Sequence, residues 1–482
     1  MEKCQQSEAA CPHVLVLPLP IQGHVNSMFK LAELLALSGF KVTFLNSEHN
    51  HERLVKYTNI TAHFARYPGF EFKTIPDGLP DDHPRTGEWF LEMFDAMEMK
   101  TKSSLIEMLL NISPPVDCII GDGFLGFALD AANELGIPII YFRTSSACCF
   151  WVYYSIPDMI QAGELPTREM DRLITTVPGM ETFLRCRDLP SFCRASNMTD
   201  ADSKIQLIVK ETRKTPQAHS LILNTFEDLD GPILSHIRTK CPHIYAIGPI
   251  HAQLNTRLRE KYGESYDHFS NSLWELDRSC ISWLDKQPKQ CVIYVSFGSV
   301  TTTSREQLTE LWYGLVNSKK RFLWVIRPNS VTGKDGRGGD VPVELLEATR
   351  ERGYIVGWAP QEEVLNHPAV GGFLTHSGWN STLESVVAGV PMICWPYFAD
   401  QQVNSRFVSE AWKIGLDMKD VCDRKVVEMM VNDLMVNRKE EFVKPAAKMA
   451  KLANESVSVG GSSYCNLDRL IEDIRLMSLK KL

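Results

Sequence analysis

The sequence predicts an α/β protein built from two doubly wound, Rossmann-like domains that face each other across a cleft. Short apolar segments alternate with longer segments whose apolar residues recur at helical spacing, and this alternation runs through both halves of the chain. At 482 residues, the chain is too long for one hydrophobic core. A polar stretch at 251–275 separates the halves and is interpreted as an interdomain linker. We therefore expect one domain over 1–250 and another over 276–460.

Composition excludes several classes of protein. The net charge of −8 disfavours a nucleic-acid binder and a binder of anionic membranes. The first twelve residues lack the basic start and apolar centre of a signal peptide, and no run of 18 apolar residues occurs. The 13 cysteines show no paired spacing, which is typical of free thiols in a reducing compartment. We expect a cytoplasmic protein without a transmembrane segment.

The first strand and the helix after it place a histidine where ligand-binding residues are common. Residues 13–20 predict a buried strand, Gly23 and His24 follow it, and a helix then runs to a stop at Gly39. Open α/β sheets bind ligands at the carboxyl ends of their strands. His24 is therefore a candidate catalytic residue, although a lone histidine is more often structural.

A glycine-rich turn at 121–126 follows the strand predicted at 116–120 and matches the G-x-G-x-x-G pattern of dinucleotide-binding proteins. This alternative, an NAD(P)-dependent oxidoreductase, is disfavoured because the acidic residue expected about 20 positions later is missing. The carboxylate of Asp122 would also repel a pyrophosphate. We interpret Asp122 as the acceptor of a hydrogen bond from Nδ1 of His24, which stabilises the imidazolium. A helix N-cap is the alternative role, and the residues alone favour it.

The densest group of functional side chains lies between Trp358 and Gln401. Residues 373–375 predict a buried strand, and Asn380 begins a helix that ends at Gly389. Uncapped N–H groups at a helix N-terminus attract anions, so we predict a phosphate or pyrophosphate site there. The side chains suited to the rest of a nucleotide sugar, by base stacking and by hydrogen bonds to hydroxyls, are Trp358, Glu384, Asp400 and Gln401.

This segment resembles the signature box of the plant family-1 UDP-sugar glycosyltransferases, and the resemblance extends over essentially the whole chain. It implies the GT-B fold, with an acceptor-binding first domain, a UDP-sugar-binding second domain and a C-terminal helix at 461–482 that packs on the first domain. It also implies an inverting O-glycosyltransferase without a metal or other cofactor. In that reaction His24 deprotonates an acceptor hydroxyl, and Asp122 orients His24 and stabilises its charge.

The resemblance further assigns the donor contacts, and the terminal glutamine of the box favours UDP-glucose. The implied diphosphate contacts are Ser299, His376, Asn380 and Ser381, and those to the nucleoside are Trp358, Ala359, Gln361 and Glu384. The implied sugar contacts are Trp379, Asp400, Gln401 and, from the first domain, Thr144. One departure from the family pattern is Arg143, which occupies a position that is more commonly apolar or aromatic and which we expect at the pocket rim.

The acceptor is predicted from looser similarity. Segments 25–28, 66–69, 74–80 and 83–87 resemble plant glucosyltransferases of iridoids and other terpenoids. A lipophilic ring system needs apolar walls, and the predicted pocket residues are Trp89, Met93, Phe124, Phe142, Trp151, Tyr397 and Phe398. A flavonoid or other phenolic acceptor remains open. So does a carboxylate acceptor, which would give a glucose ester without needing His24 as a base. We expect a monomer.

Overall fold

The computed structural model describes residues 11–81, 83, 85, 89–167, 169–194, 198–263, 272–328, 330–332, 338–339, 349 and 352–479. Two parallel sheets, each flanked by helices, make up the fold. Parallel strands covered on both faces are continuously apolar. Every residue is buried in the strands His13–Leu17, Cys118–Asp122, Ile139–Arg143, Val292–Ser296 and Val370–Thr375, whereas only Ile75 is buried in the edge strand Phe70–Ile75. The predicted α/β class and its two Rossmann-like domains are therefore confirmed.

The first sheet has seven strands in the order β3-β2-β1-β4-β5-β6-β7. Its strands are β1 His13–Leu17, β2 Lys41–Ser47, β3 Phe70–Ile75, β4 Cys118–Asp122, β5 Ile139–Arg143, β6 Ser220–Leu223 and β7 Ile244–Ala246. Its helices are α1 Gln22–Leu37, α2 Glu48–Tyr57, α3 Ile60–Phe64, α4 Phe90–Ala96, α5 Lys102–Asn111, α6 Gly126–Leu135, α7 Ala147–Gln161, α8 Met198–Arg213, α9 Glu227–Arg238 and α10 Ile250–Tyr262.

The second sheet has six strands in the order β13-β10-β8-β14-β15-β16, and a small sheet of β9, β11 and β12 lies beside it. These strands are β8 Val292–Ser296, β9 Thr303–Ser304, β10 Arg321–Val325, β11 Val331–Thr332, β12 Gly338–Gly339, β13 Gly353–Val356, β14 Val370–Thr375, β15 Met392–Cys394 and β16 Gly415–Asp417. The helices are α11 Ser279–Leu284, α12 Arg305–Asn317, α13 Gln361–Asn366, α14 Trp379–Ala388, α15 Gln401–Arg406, α16 Arg424–Asn432, α17 Lys439–Val457 and α18 Ser462–Leu479.

Each sheet reverses its strand order at one point, and ligands bind beside such switch points. In the first sheet the reversal lies between β1 and β4, where Leu17 pairs with Gly121. In the second it lies between β8 and β14, where Ser296 pairs with Thr375. The segments that leave these four strands therefore meet at the cleft between the sheets.

The last helix, α18, packs on the first domain. Leu470 and Ile474 are fully buried in the same apolar cluster as Val14 of β1. Asn466 also donates a hydrogen bond of 3.0 Å to the carbonyl oxygen of Ala246. The C-terminal segment thus completes the core of the domain that is most distant from it in sequence.

The stretch at 251–275 contains more regular structure than its polarity indicated. Helix α10 begins after Pro249, and its residues Ile250, Leu254 and Leu258 are buried. Their spacing of four residues is a helical signal, but it is diluted by charged neighbours. Residues 264–271 lie outside the described ranges, and the domain boundaries at 250 and 276 stay a prediction.

Across the described ranges, no helix combines the length and the apolar composition needed to cross a bilayer. The cysteines in these ranges are free, and most are buried.

Candidate active site

A histidine and an aspartate meet at the switch point of the first sheet. Nδ1 of His24, in the first turn of α1, lies 2.6 Å from Oδ2 of Asp122, the last residue of β4. Asp122 is fully buried, and its Oδ1 accepts a hydrogen bond of 3.1 Å from the backbone N–H of Phe124. Since Nδ1–H donates to the carboxylate, the lone pair of the neutral imidazole is on Nε2. This is the arrangement of an oriented general base.

A third side chain reaches the same nitrogen. The hydroxyl oxygen of Thr144, just after β5, lies 2.7 Å from Nδ1 of His24. The structure therefore places Thr144 on the histidine as well as on the cavity wall.

One cavity of about 930 Å³ extends between the two switch points and is lined by both domains. Every residue predicted to contact the UDP-sugar lines it, and so does His24. Within the described residues, no group of three or more His, Cys, Asp or Glu side chains forms a candidate metal site.

The second domain contributes an anion site to this cavity. Helix α14 begins after Gly378, which provides no side-chain cap, so the first N–H groups of the helix are free for a ligand. The ring of His376 lies between Gly298 and Gly378, where an added Cβ would approach Nε2 to 2.5 and 2.4 Å. Ser299 follows Gly298 and also lines the cavity. Because neither glycine has a Cβ, the imidazole ring of His376 fits between the two backbone segments.

Burial, aided by the nearby charge of Arg327, lowers the pKa of His376 to about 4. The imidazole is therefore neutral at pH 7. It can donate one hydrogen bond to a phosphate oxygen but brings no positive charge of its own.

Two residues predicted as donor contacts are also committed to the first domain. Nδ2 of Asn380 donates to the carbonyl oxygen of Gly23 at 2.8 Å, and its Oδ1 accepts from the hydroxyl of Ser27 at 2.8 Å. Nε1 of Trp379 donates to the carbonyl oxygen of Asn224 at 2.8 Å. These side chains bind across the domain interface. The backbone N–H groups of the same two residues lie in the uncapped first turn of α14 and remain available to a ligand.

The nucleoside end of the cavity contains a buried hydrogen-bond network. Nε2 of Gln361 donates to Ser381 Oγ at 2.8 Å and to Glu384 Oε2 at 2.7 Å, and Tyr294 donates to Oε1 of Gln361 at 3.2 Å. Burial raises the pKa of Glu384 to about 7. Trp358 and Ala359 lie at the same end, with Trp274 at a ring distance of 6.1 Å from Trp358.

The sugar end is formed by Asp400 and Gln401 at the start of α15. Oε1 of Gln401 accepts hydrogen bonds from the backbone N–H groups of Tyr397 and Phe398, at 2.8 and 3.1 Å. Its Nε2 is thereby left to donate to a hydroxyl. Burial raises the pKa of Asp400 to about 6, although a hydrogen bond from Asn404 and the proximity of His24 oppose the rise.

The acceptor end follows a series of aromatic rings away from the base. Centroid distances are 6.1 Å from His24 to Phe124, 6.3 Å from Phe124 to Tyr153 and 5.9 Å from Tyr153 to Phe192. Of the predicted pocket residues, Phe124 and Phe398 line the cavity. Lining residues that the sequence analysis missed are Ile21, Tyr153, Phe192, Lys204 and Ile208.

The structure places the other predicted pocket residues away from this cavity. Phe142 points to the opposite face of the sheet from Tyr141, because side chains alternate along a strand. Trp151 and Met93 lie in the core, where Trp151 donates to the carbonyl oxygen of Pro178. Tyr397 packs beneath the cavity against Phe297 and Trp395. Trp89 is partly exposed and contacts His83.

The glycines of the turn at 121–126 have a packing role. A Cβ on Gly123 would approach Cδ of Arg143 to 2.6 Å, and one on Gly126 would approach Oε2 of Glu211 to 2.1 Å. Arg143 is itself fully buried behind Phe124, with its guanidinium 4.3 Å from that ring centroid. The expectation that Arg143 lies at the pocket rim is therefore wrong, and the glycines admit protein side chains where a dinucleotide-binding protein admits phosphate.

Comparison with known proteins agrees with this geometry. The sequence model of the family described as UDP-glucoronosyl and UDP-glucosyl transferase matches residues 275–444. The chain is 57% identical to 7-deoxyloganetic acid glucosyltransferase of Catharanthus roseus, over 98% of each chain. It is 40% identical to 7-deoxyloganetin glucosyltransferase of Gardenia jasminoides, over 95% of this chain and 97% of the relative.

Among solved structures, the chain is similar to Os79 from O. sativa in complex with UDP. The TM-score is 0.80 at 29% identity, and the match covers 96% of this chain and all of Os79. The resemblance seen in the signature box is thus confirmed: the chain belongs to the UDP-glucoronosyl and UDP-glucosyl transferase family and is a plant-type UDP-glycosyltransferase with the GT-B fold.

Proposed function

We propose that this enzyme transfers glucose from UDP-glucose to a hydroxyl of an iridoid or related terpenoid. The observation that carries the proposal is the His24–Asp122 pair at 2.6 Å, which shares one cavity with the uncapped N-terminus of α14. A base for the acceptor and an anion site for the leaving group are the two requirements of glycosyl transfer from a nucleoside diphosphate.

In the proposed reaction, Nε2 of His24 removes the proton of the acceptor hydroxyl. The oxygen attacks the anomeric carbon, the bond from that carbon to the β-phosphate oxygen breaks, and UDP leaves with the electron pair. Attack from the side opposite UDP converts an α-linked donor into a β-glucoside. Asp122 stabilises the imidazolium that forms, because its buried carboxylate lies 2.6 Å from Nδ1 of His24.

The departing diphosphate is held by α14 and by the side chains around its start. Hydrogen bonds come from the side chains of His376, Ser299 and Ser381, and the favourable dipole comes from the helix N-terminus. Trp379 and Asn380 contribute their backbone N–H groups. We propose that these groups suffice without a metal ion.

The remaining donor contacts follow the order of the cavity. Trp358 stacks on uracil beside the backbone of Ala359, and Gln361 with Glu384 holds the ribose. Thr144, Asp400 and Gln401 contact glucose. The acceptor class is supported by the two relatives named for iridoid glucosylation, at 57% and 40% identity.

The test is UDP release from UDP-glucose with a panel of iridoid, monoterpenoid and flavonoid acceptors in buffer with EDTA. Wild type should glucosylate an iridoid or terpenoid hydroxyl, and His24→Ala should lower kcat by about 10² or more. UDP binding by the variant, measured by calorimetry, should stay within about twofold of wild type, since His24 is not proposed to touch the nucleotide.

A His24→Ala variant that keeps its activity would contradict the proposed base. Activity restricted to flavonoids would contradict the proposed acceptor class. Loss of wild-type activity in EDTA that added Mg²⁺ restores would contradict the metal-independent mechanism.

A further inference from the structure

We propose that Lys204 binds a carboxylate of the acceptor, so that the preferred acceptor is a hydroxy acid with its hydroxyl at His24 and its carboxylate at Lys204. This inference rests on the proposed function and deepens it by naming the group that the acceptor end recognises.

Lys204 lines the cavity together with the residues of its acceptor end. It is on α8, one turn before Ile208, and both residues line the cavity. The short 3-10 helix Ser191–Arg194 packs against α8 and contributes Phe192 to the same wall. The ring series from His24 through Phe124 and Tyr153 to Phe192 therefore leads from the proposed base towards the helix that carries Lys204.

The ammonium group of Lys204 has no partner in the part of the chain that the structure describes. Other lysines on or near this helix are paired: Lys210 lies 3.3 Å from Glu98, and Lys214 lies 3.2 Å from Asp130. An unpaired cation on the wall of a concave, mostly apolar cavity offers charge-assisted hydrogen bonds to an anionic ligand.

The acidic groups near His24 and the ammonium group of Lys204 orient the ligand. Asp400 faces the cavity beside His24, and Asp122 lies behind that histidine. A ligand carboxylate placed at His24 would be repelled by these acidic groups, whereas one at Lys204 would be attracted. The hydroxyl is therefore the group presented to the base, and the product is a glucoside of that hydroxyl and not a glucose ester.

The comparisons provide an independent line of support. The relative at 57% identity is named for an acid, 7-deoxyloganetic acid, whereas the relative at 40% is named for 7-deoxyloganetin. A carboxylic acid is ionised at neutral pH, since carboxyl groups ordinarily titrate near pH 4. An anionic acceptor suits the ammonium group of Lys204 on this cavity wall.

The experiment compares 7-deoxyloganetic acid with its methyl ester as acceptors for wild type, Lys204→Met, Lys204→Arg and Lys210→Met. We expect Lys204→Met to raise the KM for the acid by about tenfold, with kcat and the KM for the ester within about twofold of wild type. Lys204→Arg should keep the preference for the acid. Lys210→Met, on the same helix but paired outside the cavity, should change neither KM.

Two results would overturn the inference while leaving the proposed function intact. One is an equal effect of Lys204→Met on acid and ester, which indicates a structural role. The other is a product from the acid that mild alkali hydrolyses, which identifies a glucose ester. If wild type glucosylates neither iridoid but does glucosylate a flavonoid, the proposed acceptor class fails and the Lys204 inference fails with it.

Discussion

The donor and acceptor ends of the cavity are built in different ways. On the donor side, most lining residues come from one continuous segment, 358–401, in which a buried strand ends at the start of a helix. On the acceptor side, the lining residues come from separate elements, such as Phe124 after β4, Tyr153 on α7 and Ile208 on α8. A site made by one strand–helix connection is local in sequence, while a site made by packing several helices is not.

The difference separates two kinds of specificity. The donor end uses backbone N–H groups and fixed polar side chains, which suit the constant parts of a nucleotide sugar. The acceptor end uses aromatic and aliphatic walls together with Lys204, which has no partner among the described residues, so its preference depends on side chains that a few substitutions can change. Substitutions at each end of the cavity test this contrast.

The largest effect is expected where the two ends meet. Asp122→Asn keeps the shape of the side chain but removes the charge that fixes the tautomer of His24, so kcat should fall by about 10²–10⁴. The KM for UDP-glucose should stay within about twofold. Steady-state kinetics check this, with Asp130→Asn, a partly exposed site on the following helix, as the control. An unchanged kcat for Asp122→Asn would identify Asp122 as a structural cap.

On the donor side, Trp358→Ala should raise the KM for UDP-glucose about 10- to 100-fold, because loss of a stacking platform for the base costs about 1–3 kcal/mol. The KM for the acceptor should change by less than about twofold. Trp358 belongs to the donor side of the cavity in the second domain, whereas Phe192 and the other acceptor-end rings belong to the first domain. Kinetics with each substrate varied separately measure the two constants. A larger effect on the acceptor KM would show that the ends are not independent.

On the acceptor side, we compare a residue found by the structure with one predicted from sequence. Phe192→Ala should raise the acceptor KM about threefold to tenfold, because it removes an aromatic wall. Trp151→Phe should leave that KM unchanged but lower the thermal midpoint, since it deletes the hydrogen bond to Pro178 in the core. Acceptor kinetics and thermal unfolding together separate the two roles. A raised acceptor KM for Trp151→Phe would indicate that Trp151 contacts the acceptor, as the sequence analysis predicted.

The smallest effect is on stability. Burial raises the pKa of Asp400 to about 6 in the folded protein, so its ionised form is disfavoured there. Stability from the protonated form is present below the unfolded pKa, near 4, and is lost as the pH rises through 6. Asp400→Asn should therefore raise the thermal midpoint by roughly 1–3 °C at pH 7.5, and this advantage over wild type should disappear at pH 4. An equal advantage at both pH values would show that ionisation of Asp400 is not its cause.

Sequence reasoning succeeded where function follows from local chain geometry. The strand at 373–375, the helix that follows and its end at Gly389 are all present, and Gly389 has the left-handed φ of 69° expected of a helix terminator. His24 and Asp122 meet because parallel strands β1 and β4 are neighbours, Asp122 is the last residue of β4, and His24 lies just beyond the carboxyl end of β1. The first inference needs only the period of the pattern. The second also drew on the family resemblance, because the pattern does not show that β1 and β4 are neighbours.

Sequence reasoning failed where the answer depends on packing between distant elements. Phe142 and Tyr141 differ by one residue, and only the register of β5 decides which face each occupies. The aromatic character of Trp151 gave no sign that its indole N–H is used within the core. The commitment of Asn380 to Gly23 depends on how the two domains meet, which no local pattern encodes.

That last contact joins the backbone beside the proposed base to the donor-binding helix α14. Gly23 immediately precedes the proposed base, and Ser27 is one turn further along the same helix. Asn380 of the donor domain therefore forms hydrogen bonds on both sides of His24 in the sequence. Separation of the domains would break both hydrogen bonds. Any opening of the cleft would therefore act on the backbone beside the proposed base as well as on the donor site.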